Sequence, residues 1–66
     1  MKIGTIIRSL RIENKMTQTQ LASLLFTSQD TVSLWERGKS LPDILMVIEL
    51  TKIFNVSSDY LLGLED

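Results

Sequence analysis

The sequence predicts an all-α fold built from five short helices, and three observations support it. Apolar residues recur at spacings of three and four along most of the chain, which is the period of an amphipathic helix. A threonine, serine or aspartate that can cap a helix precedes four of the five apolar segments. With 66 residues the chain is expected to form one domain, and its apolar share of 44% suits a helical core.

Helix 1 is predicted from about residue 2 to residue 14. Ile3, Ile7 and Leu10 follow one another at i, i+4 and i+7, and Ile6 widens the same stripe. The residues that follow are expected to connect helix 1 to helix 2, with Met16 turned inward.

Helix 2 is predicted from about residue 18 to residue 25. Thr17 is placed to cap it, and Gln20 completes the T-x-x-Q form of a capping box. Its buried face is expected to comprise Leu21, Ala22 and Leu25. Phe26 and Thr27 fall in the break before the next helix.

Helix 3 is predicted from about residue 29 to residue 37. Ser28 is its expected cap, and Gly38 suits the left-handed residue that ends a helix. Val32 and Trp35 are three residues apart and therefore share an inward face. Trp35 is expected to join helix 3 to helices 4 and 5 in the core.

Helix 4 is predicted from about residue 43 to residue 54, with Pro42 before it and Asp43 as its cap. Its inward stripe is expected to comprise Ile44, Val47, Leu50, Thr51 and Phe54. Its flanks carry the further apolar residues Leu45, Met46, Ile48 and Ile53. This excess favours a surface for a partner, although a small domain can also expose apolar residues without any partner.

Helix 5 is predicted from about residue 58 to residue 62, between a capping Ser57 and a closing Gly63. Leu64 lies beyond its end and could join a contact between two copies of the chain. No internal repeat, linker or low-complexity segment is visible, so no second domain is expected.

Charge is unevenly distributed along the chain, although the net charge is only −1. Residues 1–39 hold six basic and three acidic residues, a balance of +3, whereas residues 40–66 hold one basic and five acidic residues, a balance of −4. Such a dipolar domain can present a positive face to phosphate. An ordinary mixed surface would give the same counts, and the net charge alone argues against nucleic acid.

Several functional classes find little support in the composition. The absence of cysteine and histidine removes the commonest nucleophile, general base and zinc ligands. The carboxylates lie where capping or solvated faces explain them, so an enzyme is the weakest hypothesis, and no cofactor, metal or small-molecule ligand is expected. The apolar run from Ile3 to Ile7 is too short and broken for a signal peptide or a membrane span, so a cytoplasmic protein is expected.

Helices 2 and 3 resemble the helix-turn-helix of the Cro and phage-repressor type, often called Xre-like. The matching pieces are Thr17-Gln18, Leu21-Ala22, Ser28-Gln29, Thr31-Val32-Ser33 and Trp35-Glu36-Arg37-Gly38. The resemblance extends to Ile3-Gly4, Ile7-Arg8, Leu10-Arg11, Pro42-Asp43 and the segment from Val56 to Gly63. It implies a five-helix, lambda-repressor-like domain that binds double-stranded DNA with its third helix in the major groove.

The resemblance, together with the chemistry of helix 3, assigns a set of base-reading residues. Gln29 can pair bidentately with adenine, Ser33 can bond to several bases, and Leu34 can meet a thymine methyl group. Asp30 can accept from a cytosine amino group or can simply favour the positive end of the helix dipole. The full base-reading set is Ser28, Gln29, Asp30, Ser33 and Leu34.

A second set of residues is expected to contact phosphate: Gln18, Arg37, Lys39 and Ser40. The last three lie in the segment that leaves the reading helix, where the DNA backbone would be. The resemblance also implies a structural ion pair between Arg11 and Glu36, for which an arginine fork is well suited.

Phe26 departs from the pattern of this family, which usually has glycine or asparagine at that position. The residue leaving helix 2 adopts a left-handed conformation in the family, which costs an ordinary residue about 1–2 kcal/mol. Either the turn differs in this chain or packing of the Phe26 ring offsets the strain.

The leading functional hypothesis is a transcriptional repressor that binds a pseudo-palindromic operator as a homodimer, with two reading helices roughly 34 Å apart. The alternative is a protein-interaction module of the same fold, antitoxin-like or anti-regulator. That module would use the predicted partner surface, Leu45, Met46, Ile48 and Leu64.

Overall fold

The computed structural model describes residues 2–65, and this part of the chain folds into five helices with no strand. They are α1 (Ile3–Glu13), α2 (Gln18–Leu24), α3 (Gln29–Glu36), α4 (Ile44–Phe54) and α5 (Ser58–Leu61). The prediction of an all-α fold is confirmed. The spans predicted from the sequence include capping residues, so each is one residue longer at one or both ends.

Side-chain caps define where four of the helices begin. Thr17 and Gln20 form a reciprocal capping box at the start of α2. Ser28 accepts the backbone N–H of Thr31 at the start of α3. Asp43 and Ser57 cap α4 and α5 in the same way.

The core draws side chains from every helix. Its buried apolar residues are Ile3, Ile7, Leu10, Leu21, Ala22, Leu25, Val32, Trp35, Leu50, Phe54 and Leu61. Trp35 is buried in this cluster. The inner face of α3 therefore packs in the core, and its outer face remains exposed to solvent.

Gly4 allows α1 to lie directly against the end of α3. It is buried, and a Cβ atom at this position would overlap the carbonyl oxygen of Trp35. Only glycine permits so close an approach of the two helices. Nothing in the apolar spacing reveals this contact, although an isolated glycine within a helical pattern often has such a packing reason.

The turn after α2 keeps the left-handed conformation despite its phenylalanine, so neither alternative raised by the sequence is correct. Phe26 has φ +56°, and its side chain is 97% exposed, so the ring does not pack. Backbone hydrogen bonds from Phe26 to Ser23 and from Thr27 to Ala22 close a Schellman motif. Because this motif requires a left-handed residue after the helix, the backbone imposes the conformation whatever the side chain.

The inward stripe of α4 differs from the predicted one. Leu50 and Phe54 are buried, but Ile44 is 78% exposed, whereas Met46 is half-buried and packs on the core. The side of α4 that packs on the core therefore carries Met46, Leu50 and Phe54 at intervals of four residues, with the half-buried Val47 beside them. Ile44 was wrongly placed on the inward stripe, and Met46, which was not placed there, packs on the core, because nearly every α4 residue is apolar and hydrophobicity does not distinguish the faces.

Candidate nucleic-acid interface

The outer face of α3 carries the predicted base-reading residues. Ser28, Gln29 and Asp30 are exposed at the N-terminal end, Leu34 is exposed one turn later, and Ser33 is half-buried beside it. The opposite face is anchored in the core through Val32 and Trp35. The structure thus brings the five residues together on a helix whose orientation is fixed by packing.

Gln29 is held in place by a side chain from α2. Its Nε2 donates to Oε1 of Gln18 at 2.6 Å, and Nε2 of Gln18 donates to Oε1 of Glu36 at 3.1 Å. The Gln29 amide keeps its oxygen and one N–H for another partner. Local sequence patterns gave no signal for these contacts, because they join residues 11 and 18 positions apart.

Glu36 is the centre of this network. Arg11 donates from Nε to Oε2 at 2.7 Å and from Nη2 to Oε1 at 3.0 Å, which makes a bidentate ion pair. A third bond from Arg11 reaches the carbonyl oxygen of Met16 at 2.8 Å. The side chains of Arg11 and Glu36 are only 12% and 3% exposed, so the ion pair that connects α1 to α3 is largely buried.

The environment shifts the pKa of both members of the pair. Burial acts to raise the pKa of Glu36, but hydrogen bonds from Arg11 and Gln18 and the charges of Arg11 and Arg8 lower it overall below its ordinary value. The hydrogen bond to Glu36 raises the pKa of Arg11. Both groups therefore remain charged at neutral pH, and Glu36 can accept from Arg11 and Gln18 together.

Three of the four residues predicted to contact phosphate follow α3, whereas Gln18 begins α2. Arg37, Lys39 and Ser40 are all exposed. The left-handed Gly38, with φ +72°, turns the chain, and the backbone N–H of Lys39 donates back to the Leu34 carbonyl at 2.9 Å. Lys39 and Ser40 therefore lie in the loop that follows α3. Arg37 instead folds back along α3, where its Nε donates to Oγ of Ser33 at 3.2 Å.

A largely apolar surface lies on the acidic half of the molecule. Leu45, Ile48 and Leu64 from the predicted partner surface are exposed. Ile44 and Leu41, which the sequence did not assign to that surface, are exposed as well. An open groove of about 400 Å³ is lined by Ile44, Val47, Ile48 and other residues of this region.

Residues 2–65 contain neither a metal-binding cluster nor a membrane-spanning helix. Within this range, no group of three or more acidic, cysteine or histidine side chains is placed to hold a metal ion. None of the helices described there has both the length and the apolar character needed to cross a membrane.

Known proteins resemble this chain both in sequence and in structure. The sequence profile of a helix-turn-helix family matches residues 7–61. The HTH-type transcriptional activator BcrR of Enterococcus faecalis is 35% identical over 66 residues, which are 100% of this chain and 32% of that protein. The HTH-type transcriptional regulator ImmR of Bacillus subtilis (strain 168) is 32% identical over 66 residues, which are 100% of this chain and 52% of that protein. The chain therefore spans about a third of one relative and about half of the other.

A solved structure matches nearly all of the fold. The crystal structure of the P22 c2 repressor protein in complex with a synthetic operator superposes with a TM-score of 0.88 and 32% identity, covering 96% of each chain. Sequence profile, relatives and backbone agree, and the chain belongs to the helix-turn-helix family of the Cro and phage-repressor type.

Proposed function

We propose that the protein is a DNA-binding transcriptional regulator whose α3 enters the major groove. The observation that carries this proposal is the match between this chain and the P22 c2 repressor, a protein whose structure was solved on an operator. The exposed polar side chains at the start of α3 support it, because the N-terminal residues of such a helix approach base edges.

In the proposed complex, Gln29 recognises an adenine. Its free Oε1 accepts from the adenine N6 amino group, and its remaining N–H donates to N7. The bond to Gln18 leaves both groups available. Leu34 contacts a thymine methyl group, Ser33 bonds to a neighbouring base, and Asp30 mainly favours the positive end of the α3 dipole.

Contacts to the DNA backbone position this helix. Lys39 and Ser40 lie in the loop that leaves α3, and Gln18 lies at the first turn of α2. Arg37 adds positive charge at the same end of α3. The contacts of Gln18, Lys39 and Ser40 carry little sequence information, but they make affinity depend on salt concentration.

Two copies acting as a homodimer would read a pseudo-palindromic operator and repress by covering a promoter. The exposed apolar side chains of α4 and the C-terminal segment support self-association, since a second copy would remove them from water. The two-fold symmetry of such a dimer would place two reading helices about one DNA turn, roughly 34 Å, apart.

The test is selection from a random duplex pool, followed by titration of the enriched site and of bulk DNA at two salt concentrations. An enriched two-fold symmetric site, bound about a thousandfold more tightly than bulk DNA, is the expected result. Gln29→Ala should relax preference at one position at a cost of about 1–3 kcal/mol, whereas Lys39→Ala should weaken all sequences and flatten the salt slope. Failure of the wild-type chain to enrich any site would refute the proposal.

The protein-interaction module is the second candidate, and the apolar groove favours it. The groove lies in the acidic C-terminal half, which is ill suited to DNA. This candidate predicts a monomer that has no affinity for duplex DNA. Light scattering of the purified chain, with and without duplex, separates it from the regulator.

A further inference from the structure

Arg37 occupies an unusual position at the end of the reading helix. It is the C-cap of α3, and with φ −86° and ψ 0° its backbone continues the helical path. Its side chain runs back toward the N-terminal end of α3, where Nε donates to Oγ of Ser33 at 3.2 Å. The guanidinium therefore lies beside a predicted base-reading residue rather than over the loop that follows.

The guanidinium of Arg37 is available for a ligand. Arg37 is exposed, and its side chain donates a hydrogen bond to a neutral hydroxyl group. Among residues 2–65, the ion pairs of the structure are Arg11–Glu36 and Lys52–Glu49, so Arg37 is not neutralised by a carboxylate there. Because Nε makes the bond to Ser33, the two terminal Nη groups are free to donate as a parallel pair.

The position of the guanidinium along α3 favours a base over a phosphate. Gln29, Ser33 and Arg37 are spaced by four residues and follow one side of the helix. The guanidinium lies near Ser33, one helical turn or about 5.4 Å beyond Gln29. Since base pairs are stacked about 3.4 Å apart, this separation corresponds to one or two base pairs.

We propose that Arg37 determines specificity by donating its two Nη groups to O6 and N7 of a guanine, one or two base pairs from the pair read by Gln29. This inference rests on the proposed DNA-binding function. A bidentate arginine–guanine contact is the commonest specific contact in the major groove. Ser33 acts here as a positioning residue, because its hydroxyl holds the guanidinium on the reading face.

The experiment compares wild type, Arg37→Ala, Arg37→Lys and a matched loop control, Lys39→Ala, in the same duplex selection and titration. Arg37→Ala should lose preference for one guanine, and its ratio of selected-site to bulk affinity should fall tenfold or more. Arg37→Lys keeps the charge but not the fork, so it should retain bulk binding and weaken the same preference. Lys39→Ala should weaken both duplexes equally and leave the ratio unchanged.

Several outcomes overturn the inference. Equal weakening of selected and bulk DNA by Arg37→Ala, or an unchanged guanine preference in that variant, would make Arg37 a phosphate contact. If circular dichroism shows that Arg37→Ala does not fold, Arg37→Gln, which lacks both the charge and the fork, takes its place. If wild type enriches a site and the Arg37 variants keep its guanine, only this inference fails. If wild type enriches nothing, the proposed function fails and the Arg37 assignment falls with it.

Discussion

Replacement of Phe26 by glycine is expected to raise the free energy of unfolding of the domain. Phe26 has φ +56° in the turn between α2 and α3, and backbone hydrogen bonds on both sides hold it there. Its ring is 97% exposed, so truncation removes almost no buried surface. Glycine reaches the left-handed region without the steric strain that a Cβ atom creates.

The expected size follows from two opposing effects. Relief of the left-handed strain stabilises the folded state by about 1–2 kcal/mol. The greater freedom of glycine in the unfolded chain opposes this by about 0.4–1 kcal/mol. The net stabilisation is therefore about 0–1.6 kcal/mol, and its midpoint near 0.8 kcal/mol raises the melting temperature of a domain of this size by roughly 3–6 °C.

Thermal and urea unfolding followed by circular dichroism measure this change directly. Phe26→Ala is the matched control, because it removes the ring but keeps a Cβ atom in the left-handed region. It should leave the unfolding midpoint almost unchanged. If Phe26→Gly lowers the midpoint, or if Phe26→Ala stabilises the domain as much as glycine does, strain at this turn is not the reason and the argument is wrong.

Three further predictions address the ion pair, the helix contact and the apolar surface. The pKa of Glu36 in the folded protein lies below its ordinary value of 4.5. The contribution of its ionised carboxylate to the free energy of unfolding is therefore complete above pH 4.5, and it is lost as the pH falls through the folded pKa. Glu36→Gln should therefore be less stable at pH 7 and show a flatter acid profile in urea titrations; an unchanged profile would contradict this. Gly4→Ala should lower the free energy of unfolding by about 1–3 kcal/mol, because its Cβ atom would overlap the carbonyl oxygen of Trp35. The control Ser9→Ala, on the exposed surface of α1, should change the free energy of unfolding by less than about 0.5 kcal/mol. Leu45→Glu should convert the proposed dimer to monomer in light scattering while circular dichroism still shows a folded domain, and a dimer that persists would place the interface elsewhere.

Local chemistry made much of the fold predictable. A cap is a contact between a side chain and a backbone N–H three residues away, so a short stretch of sequence is enough to predict it. Four helix starts were predictable in this way, from Thr17, Ser28, Asp43 and Ser57. The outer face of α3 was predictable because Val32 and Trp35, only three residues apart, identify the inner face of the same helix.

The remaining features depend on information that a local pattern does not contain. The sequence does not show which face of α4 packs on the core, because Ile44 and Met46 are equally apolar. Tertiary packing alone decides which of the two faces the core. The bond between Gln18 and Gln29 joins two helices, so it exists only once both are docked. The side-chain direction of Arg37 is likewise a property of the folded helix, since Ser33 supplies its partner.

The hydrogen bond between Gln18 and Gln29 has a consequence for the entropy of association. A free glutamine side chain on a helix surface occupies many rotamers, and fixing one can cost up to about 1.5–2 kcal/mol. In this protein the Gln29 amide is ordered by folding, before any ligand arrives. In the proposed complex, DNA would contact an amide that is already ordered. Binding would then not lose the entropy of fixing this side chain, so both affinity and discrimination between bases would be higher.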